Sequence, residues 1–195
     1  VRFEQPDSTA IALNRVLGGT PSQVLGELSG NGQVWLVNPN GVYFGKGAQV
    51  DVGGLLVSSL GISDSDFLGG HARFVASGAA GAVRNEGAIR ANGGVVALLA
   101  PAVSNTGSIA AGQVGLAAGD RVAVDFGSDG LLSLAVAQDA LKAELAQSGT
   151  IRGNNVVLSA AGASALRSSV INMGGVVEAT SLGAHGGRIL LDGGD

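Results

Sequence analysis

Short apolar runs separated by glycine and asparagine set the rhythm of this chain. At the start, Val1-Arg2-Phe3-Glu4-Gln5 alternates apolar and polar positions like a strand. One pattern, Asn/Gln-x-Gly-x-Ile/Val, recurs through the second half. It occurs as Asn85-Glu86-Gly87-Ala88-Ile89, Asn105-Thr106-Gly107-Ser108-Ile109, Gln147-Ser148-Gly149-Thr150-Ile151 and Asn172-Met173-Gly174-Gly175-Val176. The steps between Gly87, Gly107, Gly149 and Gly174 are 20, 42 and 25 residues. They predict a unit of about 21 residues, with one degenerate copy and one insertion. A second short strand follows each copy, at Val95 to Leu99, Val114 to Ala117, Val156 to Ser159 and Ile189 to Leu191.

Two or three short strands in every ~20 residues, with Gly and Asn between them, is the pattern of an all-β solenoid coil. Gly and Asn are expected to supply left-handed backbone at the corners. Roughly nine coils stacked about 4.8 Å apart would make a prism on the order of 40 Å long. Inward Val, Ile, Leu and Ala would stack in register as a narrow core. Two segments break the rhythm. Thr20-Pro21-Ser22-Gln23 has a helix N-cap followed by Pro at the first helical position, and Val24, Leu25 and Leu28 would share one face, which predicts a turn or two of helix. Gln138 to Ala146 is rich in helix formers, with Leu141 and Leu145 four apart, and is read as an excursion from the coil.

Composition agrees with small core side chains and frequent turns. There are 34 glycines, aromatics are 4%, charged residues 13% and hydrophobic residues 46% of the chain. A net charge of −4 and two lysines, Lys46 and Lys142, leave no basic stripe for phosphates, so nucleic acid is discounted. The absence of cysteine removes disulfides and thiolate metal sites. The uncharged stretch from Ala91 to Gly119 is interrupted by Asn92, Pro101, Asn105, Gln113 and glycines, so it is not a membrane span.

The most informative run is Asn31 to Ala48, a strand, a Pro-Asn-Gly turn and a second strand. Pro39 fixes φ at the leading corner position, and Asn40 and Gly41 are the residues that tolerate positive φ. Asn38, before the proline, is biased to extended geometry, and its amide is free to bond neighbouring coils. This run resembles the N-terminal domain of two-partner-secretion exoproteins, the family of filamentous haemagglutinin and the high-molecular-weight adhesins. Asn38 to Val42 matches the family's Asn-Pro-Asn-Gly-Ile, with Val for Ile. Further agreement comes from Val1 to Pro6, Ala12-Leu13-Asn14-Arg15-Val16 and Val52 to Ser59.

The resemblance implies a right-handed parallel β-helix with short extra-helical excursions, a single secretion domain over residues 1–195. It implies a fragment of a longer exoprotein, lacking an N-terminal cap. The implied partner is an outer-membrane pore with periplasmic binding domains, and the implied destination is the surface or surroundings of a Gram-negative bacterium. Asn14, Arg15, Asn38, Pro39, Asn40 and Gly41 are the recognition or structural residues it suggests. A monomer without cofactor is expected.

Catalytic and ligand chemistry gives weaker alternatives. Asp64 and Asp66 are the closest carboxylate pair for a polysaccharide-active enzyme, but they read as an acidic, solvated turn. His71 and His185, the two histidines, have no second ligand type at metal spacing and read as exposed corners. Gly41 to Gly47 lacks the length and the Ser or Thr of a phosphate loop and reads as a coil corner. Asp125 to Gly130 resembles a calcium loop, but Val136 stands where the closing Glu belongs. Trp35 and Tyr43 are candidate contacts for host or matrix glycans, the competing function being direct adhesion. Alternation sends Trp35 and Val37 to one face and Leu36 to the other, so core use of at least one ring is the plainer expectation.

Overall fold

The computed structural model describes residues 1–126, 131–137, 143–161, 169–179 and 188–192 of the chain. Its strands, in chain order, are β1 (Arg2–Phe3), β2 (Ile11–Arg15), β3 (Ser22–Val24), β4 (Glu27–Val37), β5 (Val42–Phe44) and β6 (Gln49–Ser58). A short helix α1 (Asp64–Leu68) precedes β7 (Ala72–Val75), β8 (Val83–Asn85), β9 (Ala88–Ala100), β10 (Ala102–Asn105), β11 (Ser108–Ala118) and β12 (Arg121–Phe126). Then come β13 (Leu132–Val136), β14 (Ala143–Gln147), β15 (Thr150–Gly153), β16 (Asn155–Ala160), β17 (Ser169–Met173), β18 (Val176–Ala179) and β19 (Arg188–Asp192).

Successive turns of the chain stack in parallel, so the fold is a β-helix. One sheet runs β1-β4-β6-β9-β11-β15-β18, with β2, β16 and β19 extending its second half. A six-stranded sheet, β17-β14-β10-β8-β5-β3, forms another face. The long strands shift register midway, between Gly30 and Gln33, Asp51 and Leu55, and Ala111 and Gln113, and β15 and β16 are separate strands flanking Asn154. Each coil therefore turns three faces. Seven layers are described along the main path, fewer than the nine expected. At ~4.8 Å per layer they span about 30 Å.

One coil of this shortfall of two has a definite origin. The 42-residue step between Gly107 and Gly149 is one coil carrying an insertion, because β10 pairs directly with β14 and β11 with β15. The inserted residues include β12 and β13, which pair antiparallel with each other and with β7 in a three-stranded sheet. The last repeat is also shifted by one residue: Gln147 aligns with Met173 and Thr150 with Val176, so Met173 occupies the position that the pattern gave to Asn172.

The helix expected from Thr20-Pro21-Ser22-Gln23 is not formed, and Ala143 to Ala146 of the excursion read at Gln138 to Ala146 belong to a coil strand. Ser22–Val24 is a strand paired with Val42–Phe44, and the Ser22 hydroxyl that would sit beside a helix cap instead accepts from the Asn38 amide at 2.9 Å. Tertiary pairing overrides the local signal. Ala143–Gln147 is a strand with Leu145 fully buried; residues 138–142, including Leu141 and Lys142, lie outside the described residues. The acidic pair also sits differently from the solvated turn expected: Ser63 caps a short helix that holds Asp64 and Asp66 in its first turn.

The interior separates into two cores. Inside the coils, columns such as Val34, Leu55, Val96, Val114 and Val156 stack layer upon layer. A second cluster lies outside the sheet, where Trp35, Leu56, Ala97, Leu99 and Ala117 meet Phe74, Val122, Val124 and Leu132 from the antiparallel sheet. The excursions thus roof one outer face of the solenoid. A strand buried on both faces needs apolar side chains at consecutive positions, which explains Leu55-Leu56-Val57 and Ala97-Leu98-Leu99-Ala100.

At the repeated corners, glycine answers close approach. A Cβ on Gly107 would overlap the Gly87 carbonyl oxygen, and one on Gly149 would overlap that of Gly107. Neither residue has positive φ, so the expected left-handed corner conformation is absent there. Beside this column, Asn85, Asn105 and Gln147 point inward and are fully or almost fully buried. Asn85 Nδ2 donates to Asn105 Oδ1 at 2.8 Å, and Asn105 Nδ2 to Gln147 Oε1 at 2.7 Å. Gln147 Nε2 closes the ladder on the Gly149 carbonyl at 3.1 Å.

Candidate functional site

The Asn38 to Gly41 turn joins β4 to β5 at the corner where β6 leads into residues 59–82 and β11 into residues 119–142. It is therefore a tight form of a corner that carries an excursion after β6 and after β11, and that Pro101 alone spans between β9 and β10. Asn38 is completely buried. Its Nδ2 donates to the Thr20 carbonyl at 3.0 Å and to the Ser22 hydroxyl, both in the preceding coil. Its Oδ1 accepts from the Asn40 backbone at 2.9 Å, closing the turn, while its own N–H donates to Ser58 O at 2.9 Å in the following coil. One side chain and its backbone thus tie three coils together.

The other turn residues complete this tie. The Pro39 carbonyl accepts from Gly81 N at 2.7 Å, and Asn40 Nδ2 donates to Gly18 O at 2.7 Å. Gly41 has φ of +102°, and a Cβ there would stand 2.6 Å from Ala82 O. Gly41 is the left-handed member of the turn; Asn40 is not, since none of the described non-glycine residues has positive φ. Fixed φ at Pro39 and a bare Cα at Gly41 let the next segment lie against the turn.

Asn14 and Arg15 lie apart from it, on β2. Asn14 Nδ2 donates to Ala12 O at 3.0 Å and to Trp35 O at 3.4 Å. Arg15 reaches outward, donating through Nη2 to Ile62 O at 3.0 Å and pairing through Nη1 with Asp64. It fastens the first layer to the excursion that contains α1.

The two candidate aromatics have different environments. Trp35 is 6% exposed and packs edge-on against Phe67, with ring centroids 5.5 Å apart, and tilted against Phe74 at 5.9 Å. It is a core residue of the roofed face, bordering a pocket of about 270 Å³ that also includes Phe67, His71 and Phe126. That burial removes it as an open stacking platform. Tyr43 is half-buried on the six-stranded sheet. It lines a groove of about 510 Å³ with Pro21, Gln23, Asn40, Val42, Ala82, Arg84 and Glu86. The Glu86 carboxylate engages the phenol and, with desolvation adding, raises its pKa above the ordinary 10.0.

Sequence reasoning missed Arg84, Glu86 and Gln23 as companions of Tyr43. The available signal was the Val83-Arg84-Asn85 alternation, which sends Arg84 outward between two inward residues. His71 is exposed just before β7, whereas His185 and Gly127 to Gly130 of the calcium-like segment lie outside the described residues. Among the described residues no group of three or more His, Cys, Asp or Glu could hold a metal ion. No described helix is long and apolar enough to cross a membrane.

Comparison with known proteins converges on the same features. The family model described as TPS secretion domain matches residues 1–195. A heme/hemopexin-binding protein of Haemophilus influenzae (strain ATCC 51907 / DSM 11121 / KW20 / Rd) is 34% identical over 205 aligned residues, covering 100% of this chain and 22% of that protein. Another heme/hemopexin-binding protein of Haemophilus influenzae is 52% identical over 59 residues, 30% of this chain and 6% of its own length. The crystal structure of the HMW1 secretion domain from Haemophilus influenzae aligns with a TM-score of 0.81 at 26% identity, over 97% of this chain and 50% of that one. The present chain thus spans about a fifth of the length of the curated relative that it matches from end to end.

Proposed function

Because the chain belongs to the TPS secretion domain family, we propose that it directs a larger exoprotein to a partner outer-membrane transporter and then seeds its folding into coils. The observation that carries this reading is the match along the whole chain, with the Asn38 to Gly41 turn built into the stacking of three coils. A formed stack offers the next segment an edge of unpaired backbone and a register, so folding can spread from it one coil at a time. Exposed edge backbone and the Asn-rich corners are the surfaces proposed for recognition. The route passes through the periplasm to the outside of a Gram-negative cell.

Asn38→Ala in the intact precursor removes the amide that holds Thr20, Ser22 and Asn40. Secretion should fall, with precursor retained or degraded inside the cell. Full export of this variant would remove Asn38 from the recognition machinery. Equal export of a precursor lacking residues 1–195 would overturn the function itself. The adhesion alternative retains Tyr43 but loses Trp35 as an open ring.

A further inference from the structure

The three outer faces of the solenoid differ in what they offer a partner. The second half of the long sheet is roofed by the antiparallel excursions. Its first half carries a column of charge in which Asp51 lies beside Arg90 in register, and Arg152 pairs with Glu178 at 3.0 Å. Among the described residues no element roofs the six-stranded sheet, whose strands carry Arg84 and Glu144 as exposed charges. Outward from it point Tyr43 and Arg84, then Ser104 and Ala146, in register on consecutive strands. Small side chains on a flat sheet let a partner's backbone approach closely, and a groove opens on that surface at Tyr43.

The chemistry of the groove selects the partner group. Arg2, Arg15, Arg73 and Arg152 each have a carboxylate within 4.0 Å. Arg84 is exposed and has no hydrogen-bond or ion-pair partner among the described residues. Glu86, the carboxylate lining the groove, lies beside the Tyr43 phenol, whose pKa it raises. Gln23 adds an amide with no partner among the described residues, and Pro21, Val42 and Ala82 supply apolar surface. One wall is Asn40, so the groove is shaped by the very turn on which the secretion reading rests.

We propose that this face, centred on the Tyr43–Arg84 groove, is the docking surface for the partner transporter. An extended segment of the transporter lies across Ala82, Ser104 and Tyr43, and an Asp or Glu side chain of that segment pairs with the Arg84 guanidinium. Arg is suited to this task because its planar fork meets a carboxylate through two parallel hydrogen bonds. This inference rests on the proposed function and adds to it the face and the charge of the contact.

The test uses the full-length precursor co-expressed with its transporter, reading the secreted fraction and the crosslinking of a photoreactive residue at position 104 to the transporter. Arg84→Glu should lower the secreted fraction about ten-fold and abolish the crosslink, as expected for opposing charges at a close contact. Arg84→Lys should retain most of both, and Arg152→Glu, on another face, should leave both near wild type. Protease resistance equal to wild type shows that the charge-reversed variant folds. Wild-type secretion with or without the transporter would refute the function reading. Transporter-dependent secretion that is indifferent to Arg84→Glu would refute this inference alone, as would a crosslink at position 90 in place of position 104.

Discussion

Replacing Asn105 by alanine tests whether the buried amide ladder stabilises the coil stack. The side chain is fully buried, accepts from Asn85 and donates to Gln147. In the variant, Asn85 Nδ2 keeps a bond to Gly87 O at 3.3 Å, whereas Gln147 Oε1 loses the bond that Asn105 gave it. An orphaned buried acceptor costs about 1–3 kcal/mol, and the weakened Asn85 donor and residual cavity add roughly 1–2 kcal/mol. The sum, about 2–5 kcal/mol, is a large share of the ~5–15 kcal/mol typical of a folded domain. In urea unfolding the midpoint should fall by roughly 1–2 M with the slope unchanged. Asn105→Asp supplies a control on direction. At neutral pH its carboxylate still accepts from Asn85 but faces the Gln147 oxygen, and burial raises its pKa in the folded state. A raised folded pKa means that the folded protein binds the proton more tightly, so this variant should gain stability as pH falls. A cost below about 0.5 kcal/mol for Asn105→Ala, or a pH-indifferent Asn105→Asp, would refute the idea that a dry, directional ladder holds these coils.

Gly107→Ala should cost more than about 3 kcal/mol, since its Cβ would strike the Gly87 carbonyl of the adjoining coil, whereas Gly18→Ala, into open space, should stay within ~0.5 kcal/mol in the same denaturation assay. Tyr43 is the single tyrosine, so absorbance titration reads it directly: its midpoint should lie above 10.0 and return toward that value in Glu86→Gln. Because its folded pKa is raised, the associated stabilisation is present below pH 10 and is lost as pH rises through the folded midpoint. Trp35, the single tryptophan, should emit at the short wavelengths of a buried indole, and Trp35→Ala should cost about 3–5 kcal/mol by thermal or urea unfolding.

Legibility in the sequence followed the range of the interactions involved. The Asn-x-Gly-x-Ile repeat marks stacking corners because the same residues meet their own equivalents in the next layer, so a local pattern reports a long-range register. The Asn38 turn was readable because its local chemistry is complete within four residues, although its bonds to Gly18, Thr20, Ser22, Ser58 and Gly81 were not. Ser22–Val24 was misread because a Thr-Pro-Ser start satisfies both a helix cap and the entry to a strand, and pairing with Val42–Phe44 decides between them. The doubled 42-residue interval was misread because spacing alone cannot distinguish a degenerate coil from an excursion that pairs with β7. The same blindness hid the groove, whose residues come from three strands separated by more than 60 positions between Gln23 and Arg84.

The two cores impose different rules on assembly. Inside the solenoid each layer touches only its neighbours, and the amide ladder and glycine column hand the register from one coil to the next, so that part can grow sequentially. The roofed face cannot. Trp35 in β4 and Phe74 in β7 are sealed together with Val122, Val124 and Leu132, which arrive almost a hundred residues after Trp35, and β7 joins β12 across intervening coils. The segment from β4 to β13 must therefore close as one cooperative block before that apolar face is dry. Such a block is what a folding seed requires: coils added one at a time gain little until they meet a surface already stable, and the excursions supply that stability without lengthening the stack. Among the described residues the excursions leave the six-stranded sheet, the face proposed for the partner, uncovered, so the arrangement that dries one face of the block keeps the proposed docking face open.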